Sequence, residues 1–211
     1  HTNDRRQRQM CIRDRILILM DDFLFYTKLG LYHILDPKAY DHLLFLVVLT
    51  LPYFYKQMRQ LLVLVTVFTL GHTASLWAAS AGILNISASW IEFLIPTTIL
   101  LTALHVLYWN SSIVTKSSAP FMLLAVFFGV IHGLGFSNYF SMVFAGNGIS
   151  LPLFYFTLGI EAAQILVVIA VVFLNTVLSH LGVSKRDRLL VGSSIIIGIL
   201  GPILISSSSS L

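Results

Sequence analysis

Six long apolar segments constrain the fold of this chain more than any other feature. They are predicted at residues 39–55, 60–82, 87–109, 119–140, 151–181 and 189–205. About 20 apolar residues are enough to span a bilayer as a helix. Hydrophobic residues make up 57% of the chain and charged residues 10%, which is too apolar for an ordinary soluble domain. The pattern predicts an all-α membrane protein, a polytopic bundle of about six transmembrane helices.

The regions outside these segments are short. Residues 20–35 mix apolar residues with acidic residues and a lysine, which favours a short interfacial helix ahead of the bundle, or a seventh helix if they span. Residues 1–19 are rich in arginine, so we expect a non-native or disordered segment there. Residues 20–205 then form a single transmembrane domain, followed by a serine-rich, low-complexity tail at 206–211.

The charges between the segments predict an orientation. The loops after the first, third and fifth segments carry basic residues, whereas those after the second and fourth carry none; the basic residues are Lys56 and Arg59, then Lys116, then Lys185, Arg186 and Arg188. Loops rich in lysine and arginine stay in the cytoplasm. We therefore expect these three loops to be cytoplasmic and the C-terminus to lie outside.

Six ionisable side chains from five segments are predicted to share the outer half of the membrane: Asp41, His42, His72, Glu92, His132 and Glu161. At about 1.5 Å per helical residue, they lie between the first helical turn and roughly 15 Å from the outer end. His105 differs, at a depth of about 27 Å. Such groups are costly in hydrocarbon unless they face one another or an ion. Their common depth favours a cation site.

The residue types indicate which cations would suit this set. Imidazoles and carboxylates without thiolate are ligands for nickel, zinc, cobalt or iron, and the single cysteine, Cys11, excludes a thiolate cluster. Four side chains are predicted to orient the imidazoles through hydrogen bonds: Thr69, Thr73, Thr157 and Gln164. Two interpretations without a metal stay open. Membrane histidines also join neighbouring helices, and Asp41 with His42 could cap a helix.

Small residues bracket one of these histidines. Gly129 and Gly133 lie on either side of His132 with the small-xxx-small spacing that lets two membrane helices approach closely. We therefore expect a neighbouring helix to pack tightly against this part of the fourth segment. Such packing would bring the polar faces of two helices together in the centre of the bundle.

Five short motifs occur in order between residues 30 and 164. They are His33-Ile34-Leu35 with Asp41-His42-Leu43-Leu44-Phe45; Phe68-Thr69-Leu70-Gly71-His72-Thr73; Glu92 with Ile95; Phe128-Gly129-Val130-Ile131-His132-Gly133-Leu134-Gly135-Phe136; and Leu158-Gly159-Ile160-Glu161 with Gln164. Together they resemble the HupE/UreJ family of bacterial membrane proteins. The resemblance implies a permease-like protein of the bacterial inner membrane, associated with nickel supply.

The resemblance also implies which polar residues matter, and where this chain departs from the family. The family's polar positions fall on Asp41, His42, His72, Glu92, His132, Glu161 and Gln164. Seven residues separate His33 from Asp41 where about five are expected, so the role of His33 stays open. His105 stands where an acidic residue is expected, and Thr157 where asparagine is expected.

These observations favour a divalent metal transporter over an enzyme, with nickel as the first candidate metal. Its partners are membrane lipid and the metal ion; no feature indicates nucleic-acid binding, and the sequence leaves homo-oligomers open. The alternatives are an intramembrane zinc-dependent hydrolase, in which a carboxylate acts as general base, and a non-catalytic accessory protein that binds haem through His72 and His132 or binds metal without transporting it.

Overall fold

The described part of the chain consists of helices. The computed structural model describes residues 2–37, 40–84, 86–108, 119–143 and 149–208, with side chains from residue 19 onward except 119–121, 138, 141, 143 and 207. Within these ranges there are seven α-helices: α1 Thr2–Leu35, α2 Tyr40–Thr50, α3 Met58–Ser80, α4 Ala88–Tyr108, α5 Ala119–Val143, α6 Ser150–His180 and α7 Lys185–Ser208. A 3₁₀ turn, Tyr55–Gln57, precedes α3.

Four of the described helices are long and apolar enough to cross a membrane. They cover Tyr55–Ser80, Ala88–Tyr108, Ser150–His180 and Lys185–Ser206. The described apolar parts of α2 and α5 are shorter, Tyr40–Thr50 and Met122–Ser137. The prediction of an all-α membrane bundle is confirmed. The predicted boundaries at residues 19 and 206 stay predictions, since the side chains before Leu19 and residues 209–211 lie outside the described part.

α2 is much shorter than the predicted first segment. The segment was expected to cover 39–55, but the helix ends at Thr50. Pro52 explains this, because a proline disfavours helical backbone in the residue before it. Buried Asn175 of α6 donates from Nδ2 to the carbonyl oxygens of Leu51 and Tyr53, at 3.2 and 3.4 Å. These bonds satisfy backbone groups that the broken helix leaves without helical partners.

α1 packs lengthwise against α6. A Cβ at Gly30 would meet the carbonyl oxygen of Phe156, and one at Gly159 would meet that of Thr27, so the two backbones touch with antiparallel register. Thr27 Oγ1 also donates to the carbonyl oxygen of Tyr155, at 3.3 Å. Residues 20–35, expected as an interfacial helix, therefore form the second half of a helix inside the bundle. That α1 crosses the membrane, as the seven-helix alternative requires, stays a prediction.

α3 and α5 form a second close pair. A Cβ at Gly71 would meet the carbonyl oxygen of Val126; one at Gly129 would meet that of Phe68, and one at Gly133 that of His72. The close approach predicted for Gly129 and Gly133 is confirmed. Because the two backbones touch at these glycines, His72 and His132 lie at the same level on adjacent helices.

The bundle has two distinct ends, which we name by their residues. At the histidine end, α1 ends at Leu35 and α2 begins at Tyr40. At the basic end, α3 begins and α6 ends, beside Lys56, Arg59 and Lys185. The loop charges predict that the basic end faces the cytoplasm, and this orientation stays a prediction.

Candidate metal centre

Four histidines from four helices converge near the histidine end. His33 lies in the last turn of α1 and His42 in the first turn of α2, while His72 and His132 lie within α3 and α5. The ring centroids are 4.6 Å apart for His33 and His42, 5.7 Å for His42 and His72, and 5.3 Å for His42 and His132. One ring nitrogen from each of His33, His42 and His72 lies within 4.8 Å of the other two.

The imidazoles are buried, yet several of their nitrogens have no partner. His42, His72 and His132 are 4%, 0% and 1% exposed. Within the described part of the chain, five buried ring nitrogens of these histidines have no hydrogen bond: Nε2 of His33, His42 and His132 and both nitrogens of His72. An unpartnered buried polar atom lowers stability, so a protein retains such atoms only where something else compensates. A cation bound among them would do so.

Hydrogen bonds fix two of the imidazoles in the form that binds metal through Nε2. His132 Nδ1 lies 2.9 Å from the carbonyl oxygen of Phe128, and His42 Nδ1 lies 3.1 Å from Oδ1 of Asp41. Both oxygens accept, so both Nδ1 atoms carry a proton, and in a neutral imidazole the lone pair that can bind metal is then on Nε2. The Asp41 carboxylate is anchored in turn, because it also accepts from the backbone N–H of His42 at 2.9 Å.

A cavity of about 430 Å³ adjoins these histidines. Its walls come from α1 and the turn after it, α2, α4 and α5, namely Leu29, Tyr32, His33, Asp36, Asp41, His42, Ile95, His132, Gly135, Phe136 and Tyr139. Tyr32 and Tyr139 are more than half exposed. The cavity therefore leads from the surface to three of the four imidazoles, with two carboxylates on the way.

Aromatic rings surround the imidazoles on their other sides. Phe45 and Phe68 stack at 4.7 Å, and each lies within 5.5 Å of the His132 ring. Phe136 lies 4.0 Å from the His33 ring and stacks on Phe156 at 5.3 Å. These rings exclude water from the sides of the cluster. Electrostatic interactions inside it are stronger as a result, because the local dielectric is low.

The structure brings only part of the sequence-predicted ligand set together. His42, His72 and His132 are adjacent, and Asp41 contacts His42. Glu92 lies on the exposed side of α4, and Glu161 accepts a hydrogen bond from Thr66 Oγ1. His105 lines a separate, mostly apolar cavity near the basic end. His33, whose role the sequence left open, joins the cluster, because the turn after Leu35 brings the end of α1 beside the start of α2.

The side chains predicted to orient the imidazoles bond to one another across α3 and α6. Thr69 Oγ1 lies 2.7 Å from Gln164 Oε1, and Thr73 Oγ1 lies 3.1 Å from Thr157 Oγ1. Thr157 gives its own proton to the carbonyl oxygen of Leu153, at 2.7 Å, so Thr73 is the donor. The orienting contacts that the structure does give the imidazoles come from Asp41 and from the carbonyl of Phe128.

The cluster has the chemistry of a borderline metal site. Imidazole nitrogens suit zinc, nickel, copper and iron. Because a metal–nitrogen bond is about 2.1 Å, two ligating nitrogens lie no more than about 4.2 Å apart. The ring nitrogens of His33, His42 and His72 lie up to 4.8 Å apart. A small rotation of these side chains would bring the nitrogens within the distance that one metal ion requires.

Comparison with known proteins gave one result. Neither the curated proteins nor the solved structures include a match to this chain. A family model described as "HupE / UreJ protein" matches residues 6–206, nearly the whole chain. The chain therefore belongs to the HupE/UreJ family of membrane proteins, which is associated with metal transport.

Proposed function

We propose that this protein binds a borderline divalent metal ion at His33, His42, His72 and His132 and carries it across the membrane, with nickel as the first candidate. The observation that carries the proposal is the convergence of buried imidazole nitrogens without hydrogen-bond partners. Membership of a family associated with metal transport gives the cluster its context.

The proposed ligand set contains little negative charge. Asp41 is the carboxylate that contacts the cluster, through His42. Glu92 and Glu161 were expected as ligands from their depth, but we leave them out because their side chains lie elsewhere on α4 and α6. Affinity for a cation rises with the charge of the ligands. Neutral imidazoles beside one carboxylate would hold a divalent ion less tightly than a carboxylate-rich cage, which suits an ion that must leave again.

The cavity favours entry of the ion from the histidine end. It connects the surface to His33, His42 and His132, and Asp36 and Asp41 would attract a cation into it. The loop charges predict that this end faces outward, so we propose uptake as the direction of transport. We prefer transport over zinc-dependent hydrolysis because the chain belongs to a family associated with metal transport.

Metal binding by purified variants tests the proposal. The full chain in mild detergent is titrated with nickel, and the His72→Ala/His132→Ala double variant is compared with the matched control His180→Ala. His180 is an exposed imidazole at the far end of α6. We expect about one ion per chain for the parent and for the control, and affinity at least about 100-fold weaker for the double variant. Equal binding by all three proteins would rule out the histidine site.

Accumulation of nickel in cells provides the second readout. Cells that produce the parent should accumulate nickel above cells without the protein, and the His180→Ala control should match the parent. The double variant should fall to background at equal amounts of protein in the membrane. Nickel accumulation by the double variant at the parent level would contradict transport through this site.

A further inference from the structure

The direct way from the histidines toward the basic end is closed by aromatic rings. Phe45 and Phe68 are each 1% exposed, and Phe128 is 7% exposed. The ring centroid of Phe45 lies 4.7 Å from that of Phe68 and 6.0 Å from that of Phe128. Beyond Phe45 and Phe128 lies a cavity of about 520 Å³ with mostly apolar walls. A divalent ion would lose its ligands and its hydration there, so this is not a route for a cation.

A polar route leaves His72 on another side. Three side-chain pairs join α3 and α6: Thr73 with Thr157, Thr69 with Gln164, and Thr66 with Glu161. We call these six residues the polar seam. Thr73 and Thr69 flank His72 on α3, and Thr66 lies nearly one turn beyond Thr69 toward the basic end. The seam thus begins at the histidine cluster and extends away from it.

Two groups in the seam have unused bonding capacity. Glu161 Oε2 and Gln164 Nε2 are buried and have no hydrogen-bond partner among the residues that the structure describes. The Gln164 side chain is 1% exposed, whereas Glu161 is half-buried and Thr66 is exposed. The two ends of an amide are interchangeable by a simple rotation. Thr69 also lies 3.1 Å from the carbonyl oxygen of Val65. With the amide turned, Gln164 donates to Thr69, Thr69 donates to Val65, and the amide oxygen becomes a free acceptor.

The turned amide and the carboxylate share one face of α6. Glu161 and Gln164 are three residues apart, which places them on neighbouring turns of the same helix face. Free oxygens from a carboxylate and an amide, with threonine hydroxyls beside them, are hard ligands. They hold nickel or zinc less tightly than imidazoles do.

We propose that Glu161, Gln164, Thr66 and Thr69 form a second cation station, which receives the ion from the histidine cluster on its way to the basic end. This inference rests on the proposed function. Glu161 supplies the negative charge that draws the ion away from the imidazoles. The weaker oxygen ligands then allow the ion to leave, so the station governs the rate of transport and not the affinity of the first site.

Comparison of binding with transport tests the station. The full chain is purified, titrated with nickel in detergent, and reconstituted into liposomes for initial rates of nickel entry. The variants are Glu161→Gln and Thr69→Val. The matched control is Thr176→Val, because the Thr176 hydroxyl donates to the carbonyl oxygen of Val172 within its own helix, at 2.8 Å. His72→Ala reports on the first site.

We expect Glu161→Gln to keep the nickel affinity of the parent within about threefold and to lower the transport rate at least about tenfold. Retained binding also shows that the variant is folded. Thr69→Val should lower the rate less, Thr176→Val should match the parent, and His72→Ala should lose both binding and transport.

Two outcomes would overturn the station. If Glu161→Gln transports at the parent rate while His72→Ala does not, the station is wrong and the proposed function stands. If Glu161→Gln loses binding as fully as His72→Ala does, Glu161 belongs to the first site and there is no separate station. If His72→Ala keeps both activities, it is the proposed function that fails.

Discussion

Two buried polar regions of this bundle are built on opposite principles. Asn175 uses its amide to satisfy the carbonyl oxygens of Leu51 and Tyr53, where α2 breaks off. The histidine cluster has comparable burial, but its Nε2 atoms have no hydrogen-bond partner among the described residues. The Asn175 arrangement stabilises the fold, whereas the Nε2 atoms of the histidine cluster can still bind a ligand. The difference indicates that unused capacity, more than burial or polarity, separates a candidate binding site from a structural contact.

The largest expected effect that tests this comparison is the loss of metal binding in His72→Leu. Leucine fills similar space without polar atoms, so it removes two unpartnered nitrogens. We expect nickel affinity to fall at least about 100-fold. Without metal, thermal stability in detergent should stay equal or rise, because the replacement removes a desolvated polar group. A large loss of stability without metal would mean that His72 is structural.

The reverse pattern is expected for Asn175→Leu. The substitution leaves two carbonyl oxygens without their donor, so the free energy of unfolding should fall by about 1–3 kcal/mol. Nickel affinity of the folded protein should not change, since Asn175 lies at the other end of α2 from His42. Thermal unfolding and nickel titration of the same preparation check both expectations. Weaker nickel binding in Asn175→Leu would contradict a purely structural role for Asn175.

A smaller loss of nickel affinity is expected for Asp41→Asn. Asp41 is the hydrogen-bond partner of His42 and is not itself a proposed ligand. The amide keeps an acceptor for His42 but loses the negative charge. We expect nickel affinity to fall about 10-fold to 100-fold, as is usual when a residue that orients a ligand is changed. Titration at two salt concentrations measures it, and Asp187→Asn, an exposed carboxylate of α7, serves as control. Unchanged affinity would show that Asp41 does not tune His42.

A smaller loss of nickel affinity than that of Asp41→Asn is expected for Gly133→Ala. The added Cβ would meet the carbonyl oxygen of His72, so α5 must shift away from α3 at a cost of about 1–3 kcal/mol in stability. His132 moves with α5, which should weaken nickel binding severalfold. Gly198→Ala is the control, because a Cβ there meets nothing within 4 Å. Equal stability of the two variants would argue against tight packing at Gly133.

The helices and one close helix pair could be predicted from the sequence. Apolar segments of membrane-spanning length indicated the helices, and the spacing of Gly129 and Gly133 indicated a close helix pair. Both signals depend on residues close together in the sequence, so they can be recognised without knowledge of the fold. The end of α2 at Thr50 was missed because apolar composition continues past Pro52, although the proline changes the backbone.

The site was less accessible to sequence reasoning, for a geometric reason. Counting residues from a helix end gives depth in the membrane but not rotation about the helix axis. Glu92 is predicted to lie at a depth similar to that of His132, yet its side chain is exposed on α4. His33 was left open because linear spacing to Asp41 cannot reveal that two helix ends meet across a turn. Which imidazoles come together depends on these rotations.

The most direct test of the central claim is X-ray absorption spectroscopy of nickel bound to the purified parent protein. The account predicts three or four nitrogen neighbours at about 2.1 Å, with the outer-sphere scattering of imidazole rings, and the loss of that scattering in the His72→Ala/His132→Ala variant. A nickel ion surrounded by oxygen alone, without imidazole scattering, would contradict the claim.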